Sequence, residues 1–272
     1  KPPGSALFAG TPKGFNWFHQ LYLLGKNEDP DWSSFQFTTL EGGQVPASEV
    51  EAAKRDLDER TFRQEYMASF ETYSGVVAYN FSEDHIVKWN QQPIKQLLIG
   101  MDFNVQPMSA VIMVRDGDIL HIIDEIVMNS SNTEEMCEEI KNRYAGIQTF
   151  VFPDPSGKAR KTSAGGKTDH NILANAGFIV KARNAHPAVR DRINALNTAL
   201  LNTNGDKRLF IDPKCKETIK CLQRHVYKEG TMVVDKSTGS DHQFDALSYA
   251  VEYLYPVTKQ YTPDNTKTWG VY

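Results

Sequence analysis

The sequence predicts an α/β domain built on a mixed five-stranded sheet with helices on both faces. Three apolar runs follow one another with short turns between them, and two further apolar runs come after helical stretches. Strands joined by short turns pair antiparallel, whereas strands joined through helices pair parallel. The sheet is therefore expected to hold three antiparallel strands followed by two parallel ones.

The elements follow from local signals along the chain. Asp116-Gly117 is typical of a hairpin turn, because glycine tolerates positive φ, and Ser131-Asn132-Thr133-Glu134 is typical of a helix start. The strands are predicted at 97–103, 108–115, 119–127, 149–152 and 178–181, with short extended pieces at 209–211 and 232–234. The helices are predicted at 131–144, at 169–176, from 187 onward and at 241–254.

The composition is that of an ordinary globular protein. The 272 residues are 40% hydrophobic and 24% charged with a net charge of −4, which excludes disordered and low-complexity classes. Cys137, Cys215 and Cys221 form no CxxC pair, so a disulfide framework or zinc ribbon is not expected and a reducing, intracellular setting is favoured. No apolar run is long enough for a membrane span, and no signal peptide is evident.

Three zones are expected. Residues 1–85, with the apolar run Ala6 to Ala9 read as a strand and helical stretches after it, have the pattern of the end of another domain. Residues 86–256 form the α/β unit, and residues 257–272 form a polar, mobile tail. Because the chain starts at Lys1 rather than Met, we expect a fragment of a longer protein.

Two aspartates follow buried strands. Asp102 ends the first strand, and Asp154 follows the fourth strand between Pro153 and Pro155. Each alone is equally consistent with a carboxylate that caps a turn. These two strands are expected to be neighbours with their carboxyl ends on the same side, and adjacent carboxylates repel unless a cation lies between them. The pair therefore predicts a cation site.

The last helix supplies further candidates. At about 100° per residue, Asp241, Asp245 and His242 fall on the side opposite its apolar stripe. For Asp241 a solvated first turn, favoured by the helix dipole, is the better interpretation, whereas Asp245 lies one turn deeper and is favoured as functional. His242 is open between a supporting partner, a metal ligand and a proton shuttle. Of Asp124 and Glu125, at most one is expected to join this group of acids, because neighbouring strand residues face opposite sides of the sheet.

This set of acids suits phosphodiester hydrolysis. Two hard cations roughly 3.5–4 Å apart activate a water molecule and neutralise charge on the phosphate. Mg²⁺ and Mn²⁺ prefer carboxylate oxygens, and one bridging aspartate with two flanking ones is the minimal protein part.

Basic residues follow Asp154 directly. Between 158 and 192 there are eight bases against two acids, and 207–228 adds seven bases against two acids. Such segments attract phosphates, although the alternative interpretation is a solvated Lys/Arg surface with no binding role. The eight bases are Lys158, Arg160, Lys161, Lys167, Lys181, Arg183, Arg190 and Arg192.

These motifs resemble the C-terminal nuclease domain of the large terminase subunit of tailed bacteriophages, which has a ribonuclease H/RuvC-like fold. The matching segments are Met101-Asp102-Phe103, Pro153-Asp154-Pro155-Ser156 and the helix from His242 to Ala250. The resemblance implies that Asp102, Asp154 and Asp245 hold two Mg²⁺ or Mn²⁺ ions with His242 nearby. Asp241 stays open as the third acid. Lys158, Arg160, Lys161, Lys167 and Arg183 are the expected DNA contacts.

The first zone also resembles this family. The segment around Gly10 and Thr11 is similar to the coupling segment of the terminase ATPase domain, and Glu65 to Phe70 is similar to the linker after it. The chain has no Gly-x-x-x-x-Gly-Lys-Ser/Thr motif, so ATP is expected only in the full-length parent.

The resemblance implies a metal-dependent endonuclease that cuts concatemeric viral DNA during genome packaging, in a parent that is also an ATP-driven translocase. Expected partners are double-stranded DNA, a small terminase subunit and the portal of the procapsid, with no membrane. The protein is expected to be a monomer in solution and a ring on the capsid, in the host cytoplasm. A RuvC-like junction resolvase or integrase-type nuclease and a non-catalytic DNA-binding, motor-docking module remain alternatives.

Overall fold

The computed structural model describes residues 4–12, 17–27, 29–71, 75–90, 93–159, 167–229, 231, 233–237, 239 and 241–257. The strands are β1 (Gln96–Asp102), β2 (Met108–Asp116), β3 (Ile119–Met128), β4 (Gln148–Pro153), β5 (Ile179–Val180) and β6 (Leu209–Ile211). The helices are α1 (Trp17–Lys26), α2 (Ala47–Asp56), α3 (Glu59–Tyr66), α4 (Thr133–Arg143), α5 (Asp169–Asn175), α6 (Val189–Leu200), α7 (Lys216–Arg224) and α8 (Asp241–Leu254). The predicted tail beyond 257 lies outside the described residues.

The sheet has the order β5-β4-β1-β2-β3-β6. The antiparallel pairing of β1, β2 and β3 and the parallel pairing of β1 with β4 and of β4 with β5 confirm the predicted arrangement. The prediction of five strands is wrong. The extended piece 209–211 is a sixth strand, parallel to β3, and its three residues are too few to show a strand pattern without the partner that defines it.

Helices cover both faces of the sheet, as predicted. One apolar core joins Leu98 and Val111 to side chains of α6, α7 and α8, and a second joins Leu97, Ile99 and Met101 to side chains of α4 and α5. The alternation of neighbouring β1 residues between the two cores is the two-residue period of a strand buried on both faces. The helix α7, which the sequence patterns did not predict, closes the first core with Cys221 and Leu222.

The helices α2 and α3 are attached to the end of α6. Asp58 is completely buried, accepts a hydrogen bond from the Thr61 amide at the start of α3, and donates its own amide to Thr198 Oγ1 of α6. The guanidinium of Arg60 lies 3.5 Å from the ring centre of Tyr79. The first-zone helices are therefore anchored to the same helix that borders α8.

The apolar run near the start of the chain forms no strand in the described residues 4–12, contrary to expectation. Leu7 is 92% exposed, and no neighbouring strand in the described part lies beside it to pair with. In the same described ranges, no helix is long and apolar enough to cross a membrane.

Candidate metal centre

Asp102 and Asp154 lie side by side at the carboxyl ends of the neighbouring strands β1 and β4. Met101 pairs in parallel with Pro153, and the amide of Asp154 donates to the Met101 carbonyl at 3.0 Å. The carboxylate of Asp154 accepts from the Ser156 amide at 2.7 Å, which fixes the turn that follows. The predicted neighbourhood of the two strand ends is confirmed.

Gly100 brings α8 to the same place. A Cβ atom at Gly100 would lie 2.0 Å from the Ala246 carbonyl oxygen, so the helix backbone rests directly on β1. Asp245 immediately precedes Ala246, and Asp102 lies two residues beyond Gly100. The close approach therefore sets the distance between the carboxylates of the strand and of the helix.

Asp102 has an environment that strongly disfavours its charge. The residue is only 8% exposed, and burial raises the pKa of Asp102 to about 6 even though the hydrogen bond to His242 acts to lower it. The nearby negative charges of Asp245 and Asp154 raise this pKa further. The three carboxylates identified from the sequence thus act on one another, and a cation would relieve their repulsion.

His242 lies between two of the acids. Its Nδ1 is 3.1 Å from Asp102 Oδ2, its Nε2 is 3.7 Å from Asp241 Oδ1, and the Asn104 amide nitrogen is 3.1 Å from Nδ1. This position fits a side chain that orients Asp102.

Two basic side chains contact the acids of α8. Arg192 donates from Nη1 to Asp245 Oδ1 at 2.6 Å, and Lys236 Nζ lies 3.8 Å from Asp241 Oδ2 and 3.9 Å from Asp245 Oδ2. Asp241 is itself buried, so the expectation of a solvated first-turn residue is wrong.

His186 is a further neighbour of the site. Its Nδ1 lies 3.4 Å from Asp154 Oδ1 and 3.5 Å from the Tyr249 hydroxyl. Neither His186 nor Lys236 was predicted as a site residue, because each reaches the site from a loop. Arg192 is one of the eight bases of the basic segment, although its position four residues before the buried Leu196 was a signal of burial.

The side chains offer the donor atoms that a hard divalent cation prefers, but they are not grouped closely enough to surround one. Asp102, Asp154, Asp241 and Asp245 offer only oxygen donors, the type that Mg²⁺ and Mn²⁺ prefer. The ammonium of Lys236 already takes a position between two of these carboxylates. Within the described ranges, no three acidic, histidine or cysteine side chains are grouped closely enough to hold an ion as they stand. A divalent cation could be held by these acids only after side-chain movement.

Asp124 and Glu125 have structural partners. Asp124 Oδ2 accepts from the Tyr144 hydroxyl at 2.8 Å and from Arg143 at 3.1 Å. Glu125 accepts at 2.8 Å from each of the amides of Glu217 and Thr218 and from the Thr218 hydroxyl. Glu125 therefore satisfies amides in the first turn of α7.

Replacing Glu125 by alanine is expected to lower the free energy of unfolding by about 1–2 kcal/mol, because two amides of α7 lose their acceptor. Activity of the folded variant should stay near the wild-type level. Chemical denaturation and a DNA-cleavage assay measure the two effects. A large loss of cleavage with unchanged stability would place Glu125 in the site instead.

The predicted DNA contacts differ in how far their side chains are already engaged by other protein groups. Lys158 donates to the Arg183 carbonyl, and Lys167 lies 3.5 Å from Glu134. Arg183 pairs with Glu252 at 3.0 Å and stacks on Tyr253, so its charge is partly engaged. Arg160 and Lys161 lie outside the described residues. Gly10 and Thr11 are exposed.

The mixed sheet with helices on both faces is the fold of the ribonuclease H-like class. The model of the terminase RNaseH-like domain family matches residues 99–254, more than half of the sequence, and the chain belongs to this family.

The relatives agree with this assignment. The chain is 25% identical to the large terminase subunit of Escherichia phage T5, over 92% of this chain and 58% of that protein. Its structure is similar to the large terminase of a thermophilic bacteriophage, with a TM-score of 0.67 and 21% identity over 89% of this chain and 60% of that one. The P22 large terminase nuclease domain is similar with a TM-score of 0.51 and 17% identity over 67% and 92% of the two chains. The chain thus spans about 58% of the length of the T5 relative.

Proposed function

We propose that this chain is a metal-dependent DNA endonuclease that cuts concatemeric viral DNA during genome packaging into procapsids. The observation that best supports the proposal is the buried carboxylate of Asp102, whose charge is opposed by burial and by both Asp154 and Asp245. Membership of the terminase RNaseH-like family adds that a domain of this type occurs in a phage large terminase subunit.

The proposed site uses its acidic, histidine and basic side chains in distinct roles. Asp102, Asp154 and Asp245 would hold two Mg²⁺ or Mn²⁺ ions, and Asp241 is a further candidate ligand. When bound, the ions activate water and neutralise charge on the scissile phosphate. His242 holds the Asp102 carboxylate in orientation through its contact at 3.1 Å. Lys158 and Lys167, with Arg160, Lys161 and Arg183, would hold the DNA backbone by charge.

The wider setting is part of the same proposal. We place residues 1–85 at the end of the packaging ATPase domain and its linker, with Gly10 and Thr11 in the coupling segment, residues 86–256 in the nuclease domain and residues 257–272 in a polar tail. The parent protein would act with double-stranded DNA, a small terminase subunit and the portal in the host cytoplasm, as a monomer in solution and a ring on the capsid. ATP would be used only by the full-length parent.

Metal removal tests the nuclease proposal. Purified chain in Mn²⁺ is expected to nick supercoiled plasmid, whereas chain in excess EDTA should not, because the repelling carboxylates then have no cation to place at the phosphate. Added Mn²⁺ should restore nicking. Relaxation of plasmid is measured on agarose gels.

Two results would contradict the proposal. DNA binding without any nicking in Mg²⁺ or Mn²⁺ would favour a non-catalytic docking module. Preference for four-way junctions over linear duplex would favour a junction resolvase.

A further inference from the structure

Arg192 is a buried cation behind the proposed site. It lies in the first turn of α6, is 5% exposed, and donates from Nη1 to both Asp245 Oδ1 at 2.6 Å and Ser248 Oγ at 2.8 Å. Its guanidinium lies 4.3 Å from the ring centre of Tyr249. Ser248 and Tyr249 follow Asp245 by three and four residues on α8, so all three contacts to Arg192 come from one face of that helix.

The two oxygens of Asp245 face different partners. Oδ1 accepts from Arg192, on the buried side between α6 and α8, whereas Oδ2 lies 3.9 Å from the exposed ammonium of Lys236, which also reaches Asp241 Oδ2. The guanidinium fixes one oxygen and leaves the other on the side of Lys236 and Asp241. Because Arg192 is buried, it is not placed to contact a DNA phosphate.

We propose that Arg192 is a positioning residue that holds the Asp245 carboxylate with Oδ2 turned towards the metal. The inference rests on the proposed function, since it assumes that Asp245 is a ligand. Partners that orient metal ligands commonly affect metal affinity by about 10–100-fold when they are removed. A purely structural ion pair between α6 and α8 would instead affect stability without changing the affinity for metal.

Arg192→Lys is the sharpest variant because it keeps the positive charge, and with it the electrostatic repulsion of a metal, but loses the planar donor group and its stacking on Tyr249. We expect Mn²⁺ to bind the folded variant about tenfold more weakly in calorimetric titrations without DNA. Arg190→Lys is the matched control: Arg190 is in the same turn of α6, is exposed and contacts Asp191. It should leave Mn²⁺ affinity unchanged.

A double-mutant cycle separates positioning from structure. In an Asp245→Asn background, Arg192→Lys should cause no further loss of Mn²⁺ affinity, because the carboxylate through which Arg192 acts is already gone. An equal loss in both backgrounds, or no loss in the wild-type background, would overturn the inference.

If Arg192→Lys does not fold, as judged by its thermal transition in EDTA, Ser248→Ala takes its place. This variant removes the second acceptor of Nη1 and should weaken Mn²⁺ binding about threefold, within the coupling expected of contacting residues. Unchanged affinity would overturn the inference. Failure of the proposed function is distinguishable, because then the wild-type chain itself would neither bind Mn²⁺ nor nick plasmid.

Discussion

Replacing Asp102 by asparagine is expected to reduce Mn²⁺-dependent cleavage at least about 100-fold and, in the absence of metal, to make the protein more stable. Activity falls because a carboxylate that would hold the metal is lost, and charge stabilisation by metal contributes several kcal/mol. Stability rises because the native fold holds this carboxylate where its charge is opposed by burial, Asp245 and Asp154.

The stability effect has a defined pH dependence. The pKa of Asp102 is raised from 3.8 to about 6 in the native state, so the native protein binds this proton more tightly than the unfolded chain does. Stability from the protonated form is complete below about pH 4 and is lost as the pH rises through about 6. The Asn variant has no such loss, so its gain should be near zero at pH 4 and on the order of 2 kcal/mol at pH 8.

Thermal unfolding in EDTA at several pH values measures this effect, and Asp118→Asn serves as the control because Asp118 is exposed on the hairpin turn. Adding Mn²⁺ should raise the melting temperature of the wild type and not that of the Asp102 variant, because only the wild type gains binding free energy. A variant that is less stable than wild type at pH 8, or that retains full cleavage, would contradict the assignment of Asp102 as a metal ligand whose charge destabilises the metal-free fold.

The sequence predicted the parts of the site that depend on strand ends. Leu97 to Met101 is a continuous apolar run of strand length, Phe150 to Phe152 is a shorter apolar run that ends at Pro153, and the order of turns and helices makes β1 and β4 parallel neighbours. The positions of Asp102 and Asp154 at one edge follow from that order alone. The bounds of α8 follow likewise, because its apolar stripe is long and regular.

The contacts between elements distant in sequence could not be predicted in the same way. Arg192 and Asp245 are 53 positions apart, and composition alone makes an arginine in a basic segment a surface residue. The loop residues His186 and Lys236 have no periodicity to place them. The strand β6 has only three residues, and its pairing with β3 depends on the crossover through α6. In each case the determining fact is a tertiary neighbour.

Gly100 is the position where fold and site depend on one contact, and Gly100→Ala is expected to damage both. The added Cβ would lie 2.0 Å from the Ala246 carbonyl oxygen and 3.2 Å from the Ala250 side chain, so α8 must move away from β1. Overpacking of this kind costs about 3 kcal/mol. For a domain of this size, that corresponds to a fall in melting temperature of about 6–12 °C.

The same movement carries Asp245 away from Asp102, because Asp245 is bonded to the residue that clashes. A displacement of about 1 Å at a catalytic group can lower the rate about 100-fold, so cleavage by the folded variant at low temperature should fall even where unfolding is negligible. Gly42→Ala is the control, since its Cβ would meet the carbonyl oxygens of Thr39 and Thr38 at ordinary contact distances of 3.5 and 3.7 Å. If Gly100→Ala lowered stability but left cleavage and Mn²⁺ affinity at wild-type levels, the carboxylate of Asp245 would not depend on the seating of α8 on β1, and its role as a metal ligand would lose its geometric basis.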